Sequence, residues 1–240
     1  MPNYDDVSYE SLGEGLEIAI SKEHRFGTDA FLLADFASPR HKDSVCDLCA
    51  GNGIVGFLML RDSKPLSVTA VEIQKKAFDL MCLSKERSHA DGFMPINADL
   101  KEFRAERQFD VITCNPPYKV DGTGAKSDDP AEALARHEIG CTVYDVCAAA
   151  KKNLRYGGRL CICNRPERLA DCAAAMRENG IEPKRLRTVH KDKQSPAWLI
   201  LLEGRMGGSG FMKIEPPLIV KGEGGEEYSD EMKRIYKLEK

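Results

Sequence analysis

The tetrapeptide Asn115-Pro116-Pro117-Tyr118 contains the groups needed to hold a planar amino group. Its amide and a fixed backbone carbonyl can both accept hydrogen bonds, and its aromatic ring can stack on a flat substrate. Two consecutive prolines cannot continue the ladder of a central strand, so the apolar run 109–114 must end there in a stiffened loop. A rigid turn would need only the prolines, and the added amide and ring favour a binding loop beside a reaction centre.

A glycine-rich turn and two later acids form a second candidate site. The turn, Asp47-Leu48-Cys49-Ala50-Gly51-Asn52-Gly53, lies between a predicted strand and a predicted helix, where glycine lets a ligand approach the backbone at a helix N-terminus. Glu72 ends the next predicted strand, where a carboxylate can accept both hydroxyls of a ribose. Asp99 follows the strand after that and can meet an adenine amino group. In this order, the three elements predict a nucleoside cofactor site.

Cysteine spacing offers a competing interpretation. Cys46 and Cys49 have the Cys-x-x-Cys spacing of half a metal site, but residues three apart on a strand face opposite sides. Neither a second such pair nor paired histidines complete a site, so we predict no metal. Cys114 precedes the tetrapeptide and could be a nucleophile, although its strand context favours a buried thiol. The nine cysteines are scattered through apolar runs, which favours reduced thiols over a disulfide framework.

The elements that must position these residues alternate between strand and helix. Strands are predicted over five short apolar runs, 44–48, 66–72, 93–97, 109–114 and 159–164. Helices are predicted over four segments with helical spacing of apolar residues, 54–61, 74–89, 130–155 and 166–179. Two further strands, 183–190 and 197–202, predict an antiparallel hairpin. The alternation is typical of βαβ units, so we expect an α/β fold with a mostly parallel sheet and this hairpin at its edge.

Length and composition favour one globular domain with short flanking segments. The chain has 240 residues, of which 42% are hydrophobic and 30% charged, and this profile argues against disorder. The core is predicted over residues 44–206, with residues 1–43 as an N-terminal segment and residues 207–240 as a C-terminal appendage. No basic leader with an apolar run and no stretch of about eighteen apolar residues is present, so we expect a cytoplasmic protein without a membrane span.

Charge gives only a local indication of a partner. The formal net charge of -3 provides no overall attraction to polyanions. The predicted hairpin, however, carries a basic run between Lys184 and Lys193 that contains one acid, Asp192. Such a run is either a solvated face or a phosphate-binding surface, and both interpretations stay open here.

The order of these motifs resembles the valine-tRNA adenine N6-methyltransferase family, within the amino methyltransferases that share Asn-Pro-Pro-Tyr. The resemblance rests on His24-Arg25-Phe26-Gly27-Thr28-Asp29, the glycine turn 47–53, the tetrapeptide 115–118 and Arg136-His137-Glu138. A fuller form of the turn has glycine where Cys49 stands. The resemblance implies a Rossmann-like class I methyltransferase fold, S-adenosyl-L-methionine as the cofactor and tRNA as the partner, with no obligate protein partner. The role of His137 stays open.

The resemblance also implies individual roles. The implied cofactor contacts come from the N-terminal segment, the glycine turn and the strand ends: Phe26, Gly27, Thr28, Asp29, Asp47, Cys49, Gly51, Gly53, Glu72, Asp99 and Asn115. The implied catalytic residues are Asn115, Pro116 and Tyr118. Asn115 and the Pro116 carbonyl would accept hydrogen bonds from the target amino group, and Tyr118 would stack on the base. The implied substrate contacts are Pro117, Tyr118, Lys119, Lys184, Arg185 and Arg187.

Three alternatives remain. A protein-glutamine N5-methyltransferase shares the tetrapeptide, but those enzymes generally carry a sizeable helical domain before the cofactor fold, and only residues 1–43 precede it here. An RNA guanine N2-methyltransferase is the second alternative. The third is a catalytically silent RNA-binding module, against which the intact Asn115 and Tyr118 argue.

Overall fold

The computed structural model describes residues 6–116 and 141–238 of the chain. The predicted substrate contacts Pro117, Tyr118 and Lys119, and the Arg136-His137-Glu138 motif, lie outside the described residues. Within the two described ranges, no helix is both long and apolar enough to cross a membrane.

Strands and helices alternate through the middle of the chain. The strands are β1 Ser8–Gly13, β2 Leu16–Ile20, β3 Ser44–Leu48, β4 Ser67–Glu72, β5 Phe93–Asn97, β6 Phe109–Cys114, β7 Leu154–Asn164, β8 Ile181–His190, β9 Ala197–Met206, β10 Lys213–Ile214 and β11 Leu218–Ile219. The α-helices are α1 Thr28–Ala37, α2 Ile54–Asp62, α3 Lys75–Arg87, α4 Val143–Asn153, α5 Leu169–Glu178 and α6 Asp230–Tyr236. Short 3₁₀ turns span Pro166–Arg168 and Glu223–Gly225.

The central sheet has the order β10-β8-β9-β7-β6-β3-β4-β5, and β11 pairs with β8 beside β10. Strands β5, β4, β3, β6 and β7 are parallel, and β9 runs antiparallel to both β7 and β8. The predicted α/β class, with a mostly parallel sheet and an antiparallel hairpin, is therefore confirmed. The hairpin is not the outermost element, because the two short strands β10 and β11 cover the free side of β8.

The boundary between α4 and β7 differs from the sequence prediction. We expected a helix through residue 155 with Gly157-Gly158 as its stop, but the helix ends at Asn153 and β7 begins at Leu154. A Cβ on Gly158 would lie 2.9 Å from the Arg155 carbonyl oxygen and 3.2 Å from that of Asp110. The pairing of β6 with β7 also shifts register at this point. The two glycines therefore permit a close, irregular start to a strand, which the sequence pattern alone could not distinguish from a helix end.

The sheet separates two apolar layers, so its central strands β3, β4 and β6 are largely buried on both faces. One layer contains α1, α2 and the N-terminal strands, with fully buried residues such as Leu33 and Phe57. The other contains α4 and α5, with residues such as Val146 and Met176. Six of the nine cysteines are buried and all nine are free thiols, as the sequence suggested. Strands buried on both faces are expected to lack polar alternation, and this favoured their prediction from sequence.

Both flanking segments pack on the core. The Ser84 hydroxyl of α3 accepts a hydrogen bond from the Ala19 N–H of β2 at 2.8 Å. Arg61, which is 3% exposed, donates to the Leu12 carbonyl at 3.1 Å and to the Ile235 carbonyl at 3.3 Å. One buried guanidinium thus joins the N-terminal hairpin to the C-terminal helix. The domain boundaries proposed from the sequence stay a prediction.

The C-terminal helix α6 also supports the start of α1, where four of the predicted cofactor residues cluster. The Tyr236 hydroxyl donates to the Thr28 hydroxyl at 2.7 Å, and the Tyr236 ring packs edge-on against Phe31 with centroids 4.8 Å apart. Thr28, predicted to contact the cofactor, therefore has a structural partner in α6. This contact fixes the first turn of α1 against the C-terminal helix.

Replacing Tyr236 with Phe is expected to lower the free energy of unfolding by about 1 kcal/mol, because it removes this hydrogen bond and keeps the ring. Chemical denaturation checks the change. Tyr9→Phe is the matched control, since Tyr9 is 37% exposed and its ring contact with Arg87 is kept in phenylalanine. Equal losses in the two variants would contradict a specific role for the Tyr236 hydroxyl.

Candidate active site

A cavity of about 240 Å³ opens at the carboxyl ends of β3 and β6. Parallel strands bring their carboxyl ends to one edge of a sheet, and ligands of α/β proteins bind in the crevice there. The cavity is lined by residues 23–27, by Asp29 and Ala30 of α1, by the glycine turn apart from Leu48 and Gly53, by the start of α2 and by Asn115. Seven of the predicted cofactor residues are among them: Phe26, Gly27, Asp29, Asp47, Cys49, Gly51 and Asn115.

The glycine turn reverses the chain through left-handed backbone conformations. Cys49 has φ 56°, Gly51 φ 56° and Gly53 φ 89°. A Cβ added to Gly51 would have no heavy atom within 4 Å, so glycine there leaves open space beside the cavity. A Cβ on Gly53 would lie 2.9 Å from the Phe93 ring, which makes that glycine a packing requirement. Cys49 occupies a conformation that favours glycine, and this explains why a fuller form of the turn has glycine in its place.

Asp47 is the buried carboxylate of the cavity. Its Oδ1 accepts a hydrogen bond from the Thr113 hydroxyl at 2.7 Å, whereas its Oδ2 has no hydrogen-bond partner among the described residues. Burial raises the pKa of this carboxyl to about 7. A buried carboxylate oxygen without a donor is costly. A cationic group of a ligand would complete its hydrogen bonding.

Glu72 supports the glycine turn directly. It is 5% exposed, and its carboxylate accepts hydrogen bonds from the Gly51 N–H at 2.9 Å and the Gln74 N–H at 2.8 Å. Burial raises the pKa of this carboxyl, although the two backbone donors act in the opposite direction. Glu72 is not among the residues that line the cavity. Its contacts show how it holds the turn, and a ribose contact stays a prediction.

Three further predicted cofactor residues, Thr28, Gly53 and Asp99, also lie off the cavity wall. The Asp99 carboxylate accepts a hydrogen bond from the Lys101 N–H at 2.9 Å and forms an ion pair with the Lys101 ammonium at 3.7 Å. Gly53 packs on Phe93, as described above. An adenine contact for Asp99 therefore stays a prediction.

Asn115 is held from two sides at the end of β6. Its Nδ2 donates to Oδ2 of Asp29 at 2.9 Å, and the Cys163 thiol donates to its Oδ1 at 3.1 Å. Pro116 follows and is buried. The preceding Cys114 is fully buried, and burial raises the pKa of its thiol to about 12. That thiol is therefore a poor nucleophile, in agreement with the structural role expected from its strand context.

The three predicted RNA-binding cations of β8 each have partners within the chain. Lys184 donates to the carbonyls of Ser209, Gly210 and Phe211 at 2.7–2.9 Å. Arg185 pairs with Glu203 at 2.9 Å, and Arg187 forms a bidentate pair with Glu231 at 2.7 and 2.8 Å. None of the three lines the cavity. These contacts give the cations a structural role, and a phosphate-binding role stays a prediction.

Three residues that we had not assigned as contacts also belong to the site. Glu23, Arg25 and His24 lie on the cavity wall just before α1. The His24 ring hydrogen-bonds to the Gln74 side chain at 3.3 Å and to the Ser21 hydroxyl at 3.2 Å, so it connects the N-terminal segment to the start of α3. Their position directly before the Phe-Gly-Thr-Asp run was the available signal.

No group of three or more potential metal ligands lies close together within residues 6–116 and 141–238.

Curated relatives carry one recurring name. Those similar to this chain include the tRNA1(Val) (adenine(37)-N6)-methyltransferases of Pseudoalteromonas translucida, 27% identical over 53% of this chain and 54% of the relative, and of Aeromonas hydrophila, 31% identical over 58% of each. The protein of the same name from Parabacteroides distasonis is 25% identical over 75% of this chain and 76% of the relative. The matches to the first two span only a little over half of each relative.

Solved structures share the architecture of this chain. A predicted O-methyltransferase, Atu636 from Agrobacterium tumefaciens, superposes with a TM-score of 0.70 at 20% identity, over 88% of this chain and 96% of that one. M. jannaschii TYW2 in complex with AdoMet superposes with a TM-score of 0.58 at 13% identity, over 85% and 88%. At such identities these likenesses show the fold alone.

The family model described as "Methyltransferase small domain" matches residues 22–179. That range includes β3 to β7, the glycine turn and Asn115, and it contains every residue that lines the cavity. The family resemblance drawn from the motifs is thereby confirmed. Because the match extends over well more than half of its length, this chain belongs to the methyltransferase small domain family.

Proposed function

We propose that this chain transfers a methyl group from S-adenosyl-L-methionine to the exocyclic N6 of an adenine in tRNA. The observation that carries the proposal is the fixed amide of Asn115 on the wall of the same cavity as the unpartnered Asp47 carboxylate oxygen. The relatives named above supply the candidate target, adenine 37 of a valine tRNA. The expectation of a cytoplasmic enzyme stays a prediction.

The residues of the cavity fit S-adenosyl-L-methionine. The buried Oδ2 of Asp47 lacks a donor, which suits the ammonium of an amino acid moiety. The open space beside Gly51 suits close contact between a ligand and the backbone of the turn. Asp47, Gly51 and the Phe26–Asp29 segment would therefore surround the methionine end, with Glu72 behind the turn. When bound, this cofactor supplies an electrophilic methyl group on a positively charged sulfur.

The chain itself must make a weak nucleophile reactive. The lone pair of an adenine amino group is delocalised into the ring, so the nitrogen attacks poorly while it is planar. The Asn115 amide oxygen and the Pro116 carbonyl would each accept a hydrogen bond from that amino group. Two acceptors aimed at its protons favour a pyramidal nitrogen as positive charge develops, which stabilises the transition state more than the ground state. The alkylated nitrogen is acidic enough to lose a proton afterwards, so no strong base is required.

Stacking by Tyr118 on the base and a contact from Lys119 complete the proposal. RNA loops are recognised through splayed bases on aromatic faces, and this suits an aromatic residue directly after the two prolines. Protein glutamine and the guanine amino group offer the same NH₂ chemistry to Asn115. Support for adenine comes from the names of the relatives alone.

The proposal is tested by comparing tRNA nucleosides from a strain lacking this protein with those from its parent. Mass spectrometry should show loss of N6-methyladenosine in the deletion strain, restored by the wild-type chain and not by an Asn115→Ala variant. Loss of a methylated guanosine instead would assign the guanine alternative. An unchanged nucleoside profile would contradict a tRNA substrate, and restoration by the Asn115 variant would contradict a catalytic role for the Asn115 amide.

A further inference from the structure

The edge of the sheet that carries Asn115 continues across four more strands. Strand β7 is parallel to β6, β9 runs antiparallel to both β7 and β8, and β11 is parallel to β8. Strands β6, β7, β8 and β11 therefore all end at this edge, whereas β9 begins there. The residues at these five positions lie in one row, in the strand order β6-β7-β9-β8-β11. Because neighbouring strands are about 4.8 Å apart, the row extends roughly 20 Å from Asn115.

Three cations stand at the strand ends of this row. Arg165 directly follows β7, Lys191 directly follows β8, and Lys221 lies two residues after β11. All three are exposed, and their side chains form no hydrogen bond or ion pair within the described ranges 6–116 and 141–238. The Lys221 N–H donates to the Lys191 carbonyl at 2.9 Å, which holds these two residues side by side. They differ in this from the cations inside β8, whose side chains are bound within the chain.

The acids near the row leave its positive charge largely uncompensated. Oδ1 of Asp192 accepts hydrogen bonds from the Ser195 N–H and hydroxyl, both at 2.8 Å, and so stabilises the turn between β8 and β9. The Glu223 carboxylate forms an ion pair with the Lys193 ammonium. Glu167 is an exposed acid in the 3₁₀ turn after β7, and the three cations outnumber it.

Trp198 lies in the middle of the row, near the start of β9. Its side chain is 40% exposed, although tryptophan is highly buried on average. Its ring makes no hydrogen bond, aromatic contact or cation–π contact with the part of the chain that the structure describes. Ile200 pairs with Asn164, the last residue of β7, so Trp198 lies two residues, or roughly 7 Å, beyond the end of that strand.

We propose that Arg165, Trp198, Lys191 and Lys221, here called the edge row, hold the tRNA strand next to the target adenine. This inference rests on the proposed function. The cations would bind phosphates along the strand, and Trp198 would stack on a base that flanks the one at Asn115. Unpaired RNA is bound in this way, by basic residues along its backbone and aromatic faces against its bases.

Trp198 is the single tryptophan of the chain, so its fluorescence reports on the edge row directly. Titration of the wild-type protein with unmodified tRNA should lower the emission at least about twofold, because a base stacks on the indole ring. Free tryptophan at the same concentration corrects for light absorbed by the RNA. Emission that stays unchanged while a filter assay shows saturated tRNA binding would overturn the inference, as would the absence of any tRNA binding.

Removal of the cations should weaken binding in a salt-dependent manner. The triple variant Arg165→Ala, Lys191→Ala, Lys221→Ala is expected to bind tRNA at least about tenfold more weakly than the wild type near physiological salt. The slope of log affinity against log salt should become shallower by about 2, at roughly 0.7 for each lost phosphate contact. Filter binding across a salt series measures both quantities.

A second triple variant gives a control of equal charge. Arg40, Lys42 and Arg107 are exposed, form no side-chain hydrogen bond or ion pair with described residues, and precede β3 or β6 at the opposite edge of the sheet. Replacing these three with Ala should change tRNA affinity by less than about threefold, since the contacts are local to the other edge. Equal losses in the two triple variants would show an effect of net charge alone and would overturn the inference.

The stacking contact should fail in a different manner. Trp198→Ala is expected to lower tRNA affinity about tenfold with an unchanged salt slope, whereas Trp198→Phe keeps a stacking ring and should lose less. Thermal melts identify any variant that fails to fold, and the wild-type fluorescence titration then decides. Methylation of tRNA without any response of Trp198 would overturn this inference alone. Failure of the proposed function is a different result, in which Trp198 responds to tRNA but the wild-type chain transfers no methyl group.

Discussion

Replacing Asn115 with Ala is expected to lower turnover about a hundredfold or more, while the affinity for S-adenosyl-L-methionine changes by less than about threefold. The physical reason is that the amide oxygen acts on the substrate nitrogen, and chiefly as positive charge develops there. An interaction of this kind stabilises the transition state and leaves the bound ground state nearly unaffected. Single-turnover methylation of tRNA and calorimetric titration of the cofactor measure the two quantities separately.

Asn164 offers a matched control for this variant. It ends β7, the strand beside β6, and its Oδ1 accepts a hydrogen bond from the Arg165 N–H at 2.8 Å. Asn164→Ala therefore removes the same side chain from the same edge of the sheet without removing an acceptor from the cavity wall. We expect its turnover to stay close to that of the wild type. Near-normal turnover in Asn115→Ala would show that the tetrapeptide is a structural turn only.

The second large effect concerns Asp47 and pH. The pKa of its carboxyl is about 7 in the folded chain, against 3.8 for the ordinary side chain, because burial disfavours the charged form. Between these values the folded state keeps a proton that the unfolded state has lost, so this residue's contribution to stability falls as the pH rises from about 4 to 7. At about 1.4 kcal/mol per unit, the loss is of the order of 4 kcal/mol in the cofactor-free protein.

Comparison of wild type with Asp47→Asn isolates this contribution. Chemical denaturation at a series of pH values should show the variant gaining stability relative to the wild type up to about pH 7 and levelling off above it. The variant should also bind S-adenosyl-L-methionine more weakly, because it lacks the carboxylate proposed to meet the ammonium. A difference in stability that does not vary with pH would contradict the buried, protonated state of Asp47.

Asp110 should behave in the opposite sense. Partial burial alone would raise the pKa of its carboxyl, but hydrogen bonds from Ser44 and Arg155 outweigh that effect and hold the pKa below its usual range. The stability it contributes is therefore present above the unfolded pKa and is lost as the pH falls through the folded one. Asp110→Asn should accordingly lose stability relative to the wild type at neutral pH and less in acid, which makes it an internal check on the Asp47 series.

The parallel strands could be predicted from the sequence because both of their faces are buried. Runs such as 109–114 are mostly apolar and are followed by turn residues, and this pattern indicates both the strand and the loop at its carboxyl end. The N-terminal strand β1 was missed because five of its six residues are exposed and give no apolar pattern. It pairs with β2, which in turn contacts α3 through the hydrogen bond from the Ala19 N–H to the Ser84 hydroxyl.

The site itself was only partly predictable, because some of its contacts join residues that are far apart in the sequence. Motif order located Asp47, Gly51 and Asn115, which lie at strand ends or in the turn that follows. The partners of charged residues come from distant parts of the chain: Glu203 and Glu231 neutralise Arg185 and Arg187, which the sequence presents as a bare basic run. No local pattern could indicate those pairs, since they depend on how β9 and α6 pack against β8.

Methyl transfer by the purified chain tests the central claim most directly. Unmodified tRNA would be incubated with S-adenosyl-L-methionine carrying a labelled methyl group, then digested to nucleosides and analysed by mass spectrometry. We expect the label in N6-methyladenosine, with Asn115→Ala at about a hundredth of the wild-type rate or below. A cell extract added in a parallel reaction supplies protein substrates. The account would be contradicted by label in a guanosine, by label in the protein of that extract instead of the tRNA, or by no transfer from a chain that binds the cofactor.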